Sequence, residues 1–434
     1  MSRWANSMSS HEIIGRFLFE ALDLVATYLF SQSVALEATP VGALVGKTQR
    51  DDETTRFLQY LEARHALACA MRLRPIVSGI ESGLSSRGKL ARVVSKGAIR
   101  GRLDVPRYLA GRTQRTLPRT YPLIANEATP DTPENTLVVQ SLRGLARQLG
   151  MNRFPRSTAE GQASLGLYDW TRRRLRRWPW AEVTTQDPID RLRRQTLLRT
   201  RKRQTGNELA YGSLLEWLAE WQVDVSRLGS QDLNRVVDGL LAFPIDDFFR
   251  NKVFEVWCLR EIAQSLVRCG CVPLDEPRPL HQRHVGPVYQ LQRGSSRFGI
   301  WFQSQRPLGT PRWHYDDTGR PLSGIPDIIV STDGRAPLVA DAKLRGARPQ
   351  GRSEETYKML GYHENFRDSA ARAGFRGLLV FAGSGNSGRT LAGPYGGRLS
   401  LLVVDHALEL KRDIQELFDS VIREWLDVSD RGIG

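Results

Sequence analysis

Gly324-Ile325-Pro326-Asp327-Ile328-Ile329-Val330 is followed by Asp333-Gly334 and then by Leu338-Val339-Ala340-Asp341-Ala342-Lys343. Two apolar runs joined across an Asp-Gly dipeptide predict a β-hairpin, because that dipeptide accepts the left-handed backbone of a tight turn. Asp327 falls near the start of the first strand, and Asp341 and Lys343 at the end of the second. Side chains two residues apart leave the same face of a strand, and antiparallel pairing brings Asp327 beside them. Charges at the tip of an apolar strand are costly unless they are paired or used.

Two carboxylates with a lysine suit one chemistry well: a divalent cation held on oxygen ligands, and a water steered onto a phosphodiester. On this reading Asp327 and Asp341 are metal ligands. Ala342 adds its main-chain carbonyl, turned sideways by the pleat, and Lys343 orients or activates water. The plainer alternative is that Asp341 and Lys343 form only an ion pair.

The surrounding pattern predicts an α/β unit. DDFFRNKVFEVWCLREIAQSLVRCG, from Asp246, reads as one long helix with Phe254, Trp257, Cys258 and Ile262 toward its buried side. Glu255 lies beside that stripe and is a candidate member of the site. Strands are expected at residues 288–292, 298–302, 377–381 and 399–404, and helices at about 354–372 and 406–426. Helix, antiparallel strands, helix and strand make a coherent core.

Upstream, residues 11–73 carry helical periodicity, whereas 81–112 mix Gly, Ser and basic residues, with a short strand or ordered loop at 97–104. Thr132-Pro133-Glu134-Asn135 reads as a capped helix start. The chain has 62 Lys plus Arg against 47 Asp plus Glu, a formal charge of +15, which favours a polyanionic partner. Much of the excess lies between Gly161 and Arg203. There Arg172, Arg173, Arg174, Arg176 and Arg177 surround Trp170, Trp178 and Trp180, an expected nucleic-acid contact in which the tryptophans read as core. The expected organisation is three parts: 1–120, a helical and basic region serving partner docking or DNA sensing; 121–240, a basic helical domain; and 241–434, the α/β unit.

Pro326-Asp327 and Asp341-Ala342-Lys343 resemble the motif of the PD-(D/E)xK nuclease superfamily, and the helix, hairpin and following helix fall in that superfamily's order. The resemblance implies a restriction-endonuclease-like core, a mixed sheet flanked by helices and preceded by a mainly helical N-terminal region. It also implies Mg²⁺ (or Mn²⁺) as cofactor, with Glu255 as the additional acidic ligand. RecB-like relatives carry a glutamine four residues before a tyrosine in the following helix; here the pair is Lys358 and Tyr362, both expected to contact nucleic acid. More narrowly, Tyr357 to Tyr362, Phe254-Glu255-Val256-Trp257, Thr132-Pro133-Glu134-Asn135 and Asn207 to Trp221 resemble the McrC-like nuclease subunit of modification-dependent restriction systems, a resemblance that spans residues 95–434 with its specific motifs in the last third. That implies cleavage of foreign DNA in bacterial defence under a separate nucleotide-hydrolysing motor, since this chain has no G-x-x-x-x-G-K-[ST] loop.

The alternatives are a non-catalytic nucleic-acid-binding scaffold and an RNA nuclease. With one constellation apparent in the chain, a homodimer or repeated nicking is the expected route to a double-strand cut. His314 and His363 make no close zinc-type pair, and Gly383 to Gly388 reads as an ordinary strand connection. Cys69, Cys258, Cys269 and Cys271 lack zinc-knuckle spacing and are read as reduced thiols of a cytoplasmic protein. The opening residues lack a signal-peptide pattern, and Glu20 and Asp23 interrupt the apolar patch at 14–36, so a buried helix rather than a membrane span is expected.

Overall fold

A computed structural model describes residues 10–21, 24, 53–96, 99, 101–111, 120–151, 154, 156–184, 186–221, 236–322, 324–333, 336–344, 353–366, 376–383, 385–393, 397–405 and 411–430. The helices are α1 (Ser10–Glu20), α2 (Glu53–Ser82), α3 (Val105–Ala110), α4 (Pro133–Met151), α5 (Ala159–Leu175), α6 (Ile189–Arg201), α7 (Glu208–Trp221), α8 (Asp247–Arg268), α9 (Ser353–Asn365) and α10 (Lys411–Asp430). The strands are β1 (Arg87–Lys96), β2 (Arg102–Leu103), β3 (Thr120–Thr129), β4 (Val272–Pro273), β5 (Tyr289–Arg293), β6 (Ser296–Phe302), β7 (Ile328–Thr332), β8 (Leu338–Lys343), β9 (Arg376–Gly383), β10 (Ser387–Ala392) and β11 (Arg398–Asp405). The chain forms two compact units, Met1–Glu62 with Val223–Gly434, and Ala63–Gln222.

The first unit is built on an eight-stranded sheet in the order β10-β11-β9-β8-β7-β6-β5-β4. β9 runs parallel to β8 and to β11, and the other neighbours are antiparallel, so the sheet is open and mixed. The α/β expectation holds, and the predicted hairpin is present with Ile328 opposite Ala340 and Val330 opposite Leu338. Gly334 of its turn lies outside the described residues. Its strands are apolar on both faces because both faces are covered. Ile328, Val330, Leu338, Ala340 and Ala342 join the cluster of α8 and α10, while Ile329 and Val339 join Met359 and Tyr362 of α9.

α8 is the spine of this unit. Asp246 caps it by accepting a hydrogen bond from the Phe249 amide at 2.8 Å, and the helix buries Phe254, Val256, Trp257, Leu259 and Ile262. Trp257 stacks on Phe254, meets Phe17 and Phe418 edge-on, and donates its indole N–H to Glu20 Oε2 at 3.0 Å. Helix α1 and the start of α2 thus belong to this core, through Phe17, Leu18, Phe57 and Leu58. The glycine-rich segment 383–388 is the strand connection expected of it: it leads from the end of β9 into β10, which is exposed along its length on the sheet edge. The expected helical stretches at 366–372 and 406–410 fall wholly or largely outside the described residues.

The second unit contains α4 to α7 and a three-stranded sheet, β1-β3-β2. The basic stretch after residue 81 is therefore partly strand: β1 and β3 pair antiparallel over ten residues, with Lys89 opposite Glu127 and Val93 opposite Leu123. Its lysines and arginines hid an alternation whose buried partner, Leu123, comes from a distant segment. α4 starts as expected, with Pro133 in the first turn and Thr132 Oγ1 accepting from the Asn135 amide. Among the described residues no helix is long and apolar enough to cross a membrane. The four cysteines are free.

Trp257→Ala removes the largest side chain of the α8 core together with its bond to Glu20. It is expected to destabilise the protein by about 3–5 kcal/mol, read as a lowered urea midpoint.

Candidate active site

Asp327 lies just ahead of β7, Asp341 and Lys343 lie in β8, and the hairpin brings all three together. Asp327 Oδ2 accepts the Ala342 amide at 2.9 Å and lies 3.4 Å from Lys343 Nζ. The same ammonium stands 2.7 Å from Asp341 Oδ2 and 3.2 Å from the Ala342 carbonyl. Three oxygens named from the sequence as ligands therefore converge on one cation, and that cation is the lysine. The contact to Asp341 Oδ2 is the shortest of the three.

Asp341 is fully buried and has a second cation: Lys358 Nζ, from α9, lies 3.2 Å from its Oδ1. Lys358 also sits 5.4 Å over the Tyr362 ring and keeps 43% of its side chain exposed, so it faces both the carboxylate and solvent. Tyr362 is itself buried; its hydroxyl donates to the Ile325 carbonyl at 3.1 Å. Its ring leaves no room for a side chain at residue 324, where a Cβ would meet Cε1 at 2.5 Å. Glycine there is what lets the segment leading to Asp327 lie flat on α9.

Glu255 is buried on α8 and ion-paired at 2.8 Å with Lys252, one turn earlier. Lys252, also buried, reaches Glu53 at 2.9 Å, and Gln303 donates its amide to Glu255 Oε2 at 2.9 Å. The Gln303 main-chain amide donates to the Asp327 carbonyl at 2.8 Å, so one residue ties Glu255 to the Asp327 segment. Gln303 does this at φ 45°, a left-handed backbone that costs a non-glycine residue about 1–2 kcal/mol. Neither Lys252 nor Gln303 was singled out from the sequence. Lys252 carries a usable signal, a lysine one turn before an acid on an apolar helix face, whereas the role of Gln303 exists only in the folded chain.

Burial, with the Glu255 and Asp341 carboxylates close by, pushes the Asp327 carboxyl well above the usual range. Burial acts the same way on Asp341, but the ammonium groups of Lys343 and Lys358 outweigh it and hold that carboxyl below its ordinary value. Burial raises Glu255 against the pull of Lys252. Adjacent carboxylates pushed in opposite directions divide the labour, one inclined to hold a proton and one fixed as an anion.

Among the described residues no three His, Cys, Asp or Glu side chains are grouped to hold a metal ion. The donor set around Lys343 is nonetheless all oxygen, two carboxylates and a carbonyl, which is the set a hard divalent cation takes. His314 sits on an exposed ribbon whose ends are pinned by Asn365: Asn365 Oδ1 accepts from the Trp313 amide at 3.1 Å, and its Nδ2 donates to the Leu322 carbonyl at 2.7 Å.

The five arginines belong to the other unit. Arg174 pairs with Glu81 at 3.0 Å, and Arg172 lies 5.5 Å over the Tyr168 ring, whereas Arg173, Arg176 and Arg177 are exposed. Trp170 and Trp180 are core residues as expected, but Trp178 is 67% exposed.

Because the folded-state pKa of Asp327 is raised, its protonation stabilises the native state. That contribution is complete below the ordinary carboxylate value of about 4 and is lost as pH rises through the raised value. In metal-free buffer the wild type is expected to lose stability across this window relative to Asp327→Asn, whose amide cannot ionise. Urea midpoints that stay parallel from acid to neutral pH would contradict it.

No family model matches the chain, and no curated protein is similar to it. Among solved structures it is similar to a refined half-complex from the tetradecameric assembly of Thermococcus gammatolerans McrB AAA+ hexamers with bound McrC. The identity is 12% over 93% of this chain and 76% of that one, with a TM-score of 0.25.

Proposed function

We propose that the chain is a metal-dependent DNA endonuclease of the PD-(D/E)xK type with a restriction-endonuclease-like core. It would be McrC-like in acting with a separate nucleotide-hydrolysing motor against foreign DNA in the bacterial cytoplasm. The observation that carries this reading is the convergence of Asp327, Asp341 and the Ala342 carbonyl on a single cation position at the end of the hairpin. Asp327, Asp341 and Ala342 would hold Mg²⁺, or Mn²⁺, with Glu255 completing the acidic set from α8. When bound, the ion polarises the phosphoryl oxygens and lowers the pKa of a coordinated water.

The chain's own groups do the remaining work. Lys343, on a flexible stem with three donors, orients the attacking water and offsets charge developing on the phosphate. Lys358, exposed beside it, holds the backbone phosphate next to the scissile one. Tyr362 fixes the Asp327 segment that both depend on. Gln303 and Lys252 keep Glu255 aimed at the other carboxylates. Arg172, Arg173, Arg174, Arg176 and Arg177 belong to a basic surface that supplies affinity for DNA through its phosphates. A double-strand cut then requires either two copies of the chain or two successive nicks.

A second reading, a nucleic-acid-binding scaffold, draws on one specific observation: every carboxylate of the site already has a lysine partner, as a purely structural network would. Cleavage separates the two. Supercoiled and linear DNA, and RNA of the same sequence, are incubated with Mg²⁺ or Mn²⁺, with and without candidate motor proteins. Asp341→Asn and Lys343→Met are each expected to fold and to lose cleavage by at least about a hundredfold. Folded wild type that binds DNA and never cuts would establish the scaffold. Cleavage confined to RNA would reassign the substrate.

A further inference from the structure

Trp178 departs from the behaviour of its two neighbouring tryptophans. Trp170 and Trp180 are buried, while Trp178 keeps 67% of its surface in solvent at the end of a helix rich in arginine. Its exposure is built in. The Arg177 amide donates to the Arg174 carbonyl at 3.0 Å, the Ala181 amide to the Arg177 carbonyl at 3.0 Å, and the Glu182 amide to the Pro179 carbonyl at 3.1 Å. Pro179 is buried on one side of Trp178, and Trp180 is anchored beyond it by its indole N–H on Glu81 at 2.8 Å. Arg174 closes the fork from the other side of Glu81 at 3.0 Å. A turn tied at both ends therefore presents one indole outward.

Arg173, Arg176 and Arg177, within five residues of it along the chain, are exposed too, and the same stretch of chain holds much of the formal +15. Helix ends favour cations, which accounts for basic residues in the last turn but not for an aromatic ring held in water. A rigid exposed ring flanked by guanidinium groups is the equipment that binds a single nucleic-acid strand: the ring stacks a base and the cations track the phosphates. Duplex DNA keeps its bases stacked on one another and offers this ring nothing.

We infer that the Arg173–Trp178 turn is a stacking platform for an unpaired nucleobase, so that the basic unit prefers single-stranded or locally opened nucleic acid to intact duplex. This rests on the reading of the arginine-rich surface as a nucleic-acid contact, and it adds a choice between strand states that charge alone does not make.

The test uses the full chain in EDTA, so that it is independent of whether the chain cuts. Fluorescence anisotropy measures binding of labelled oligothymidylate, of a blunt duplex of equal length, and of heparin as a polyanion without bases. Trp178→Ala is expected to weaken oligothymidylate binding by roughly fivefold to a hundredfold while leaving duplex and heparin unchanged, and Trp178→Phe to retain most of the affinity. Arg173→Gln, Arg176→Gln and Arg177→Gln combined are expected to weaken all three ligands and to reduce the salt slope for the single strand by about 2. Wild-type oligothymidylate binding by Trp178→Ala, or equal losses for all three ligands, would overturn the stacking platform. If heparin binds as tightly as the oligonucleotide and the arginine variants change neither, the nucleic-acid reading of this surface falls too.

Discussion

Lys343 places one positive charge within 3.4 Å of two carboxylates and a main-chain carbonyl at the end of a strand buried on both faces. Asp341 has no exposed surface, and an isolated carboxylate there would cost several kcal/mol. The sheet can carry an anion at this point only because two ammonium groups reach it, one from its own strand and one from α9. Their presence depresses one carboxyl, while burial and like charge raise the other. The geometry of the site and its proton inventory are thus two aspects of one arrangement of charge.

A second layer keeps that arrangement in register. Gln303 is bonded through its main chain to the Asp327 segment and through its side chain to Glu255, and it accepts an unfavourable backbone to make both contacts. Lys252 holds Glu255 from the other side and spends its remaining reach on Glu53. Tyr362 and Asn365, both from α9, pin the chain on either side of residue 323. Carboxylates on separate elements are thereby held by groups that are buried or half-buried, which is the usual requirement for a preorganised site.

The hairpin was legible because its signal is local: two apolar runs, a turn dipeptide, and charges two apart. Glu255 was legible as an acid beside an apolar stripe. Gln303 was not, since nothing in its neighbourhood of sequence distinguishes it, and its importance comes from a backbone angle and from partners 24 and 48 residues away. β1 was missed for a different reason. Its lysines and arginines made it read as a basic, glycine- and serine-rich stretch, while the residue that gives it a buried face, Leu123, lies in β3. Trp178 shows the limit of reading by residue type: three tryptophans in one basic stretch share a composition, and only the hydrogen bonds of the turn separate the one in water from the two in the core.

The sheet-bearing unit is assembled from both ends of the described chain, with Phe17, Leu18, Phe57 and Leu58 packed against α8. This has a consequence for the order of events on the ribosome. Those early residues emerge long before their partners in α8, and they wait with apolar surface uncovered while the whole intervening unit, 63–222, is synthesised and becomes free to fold. Any chaperone that attends this chain therefore meets its first helices as clients, and a fragment beginning at Val223 would be born with an α8 whose covering layer is missing.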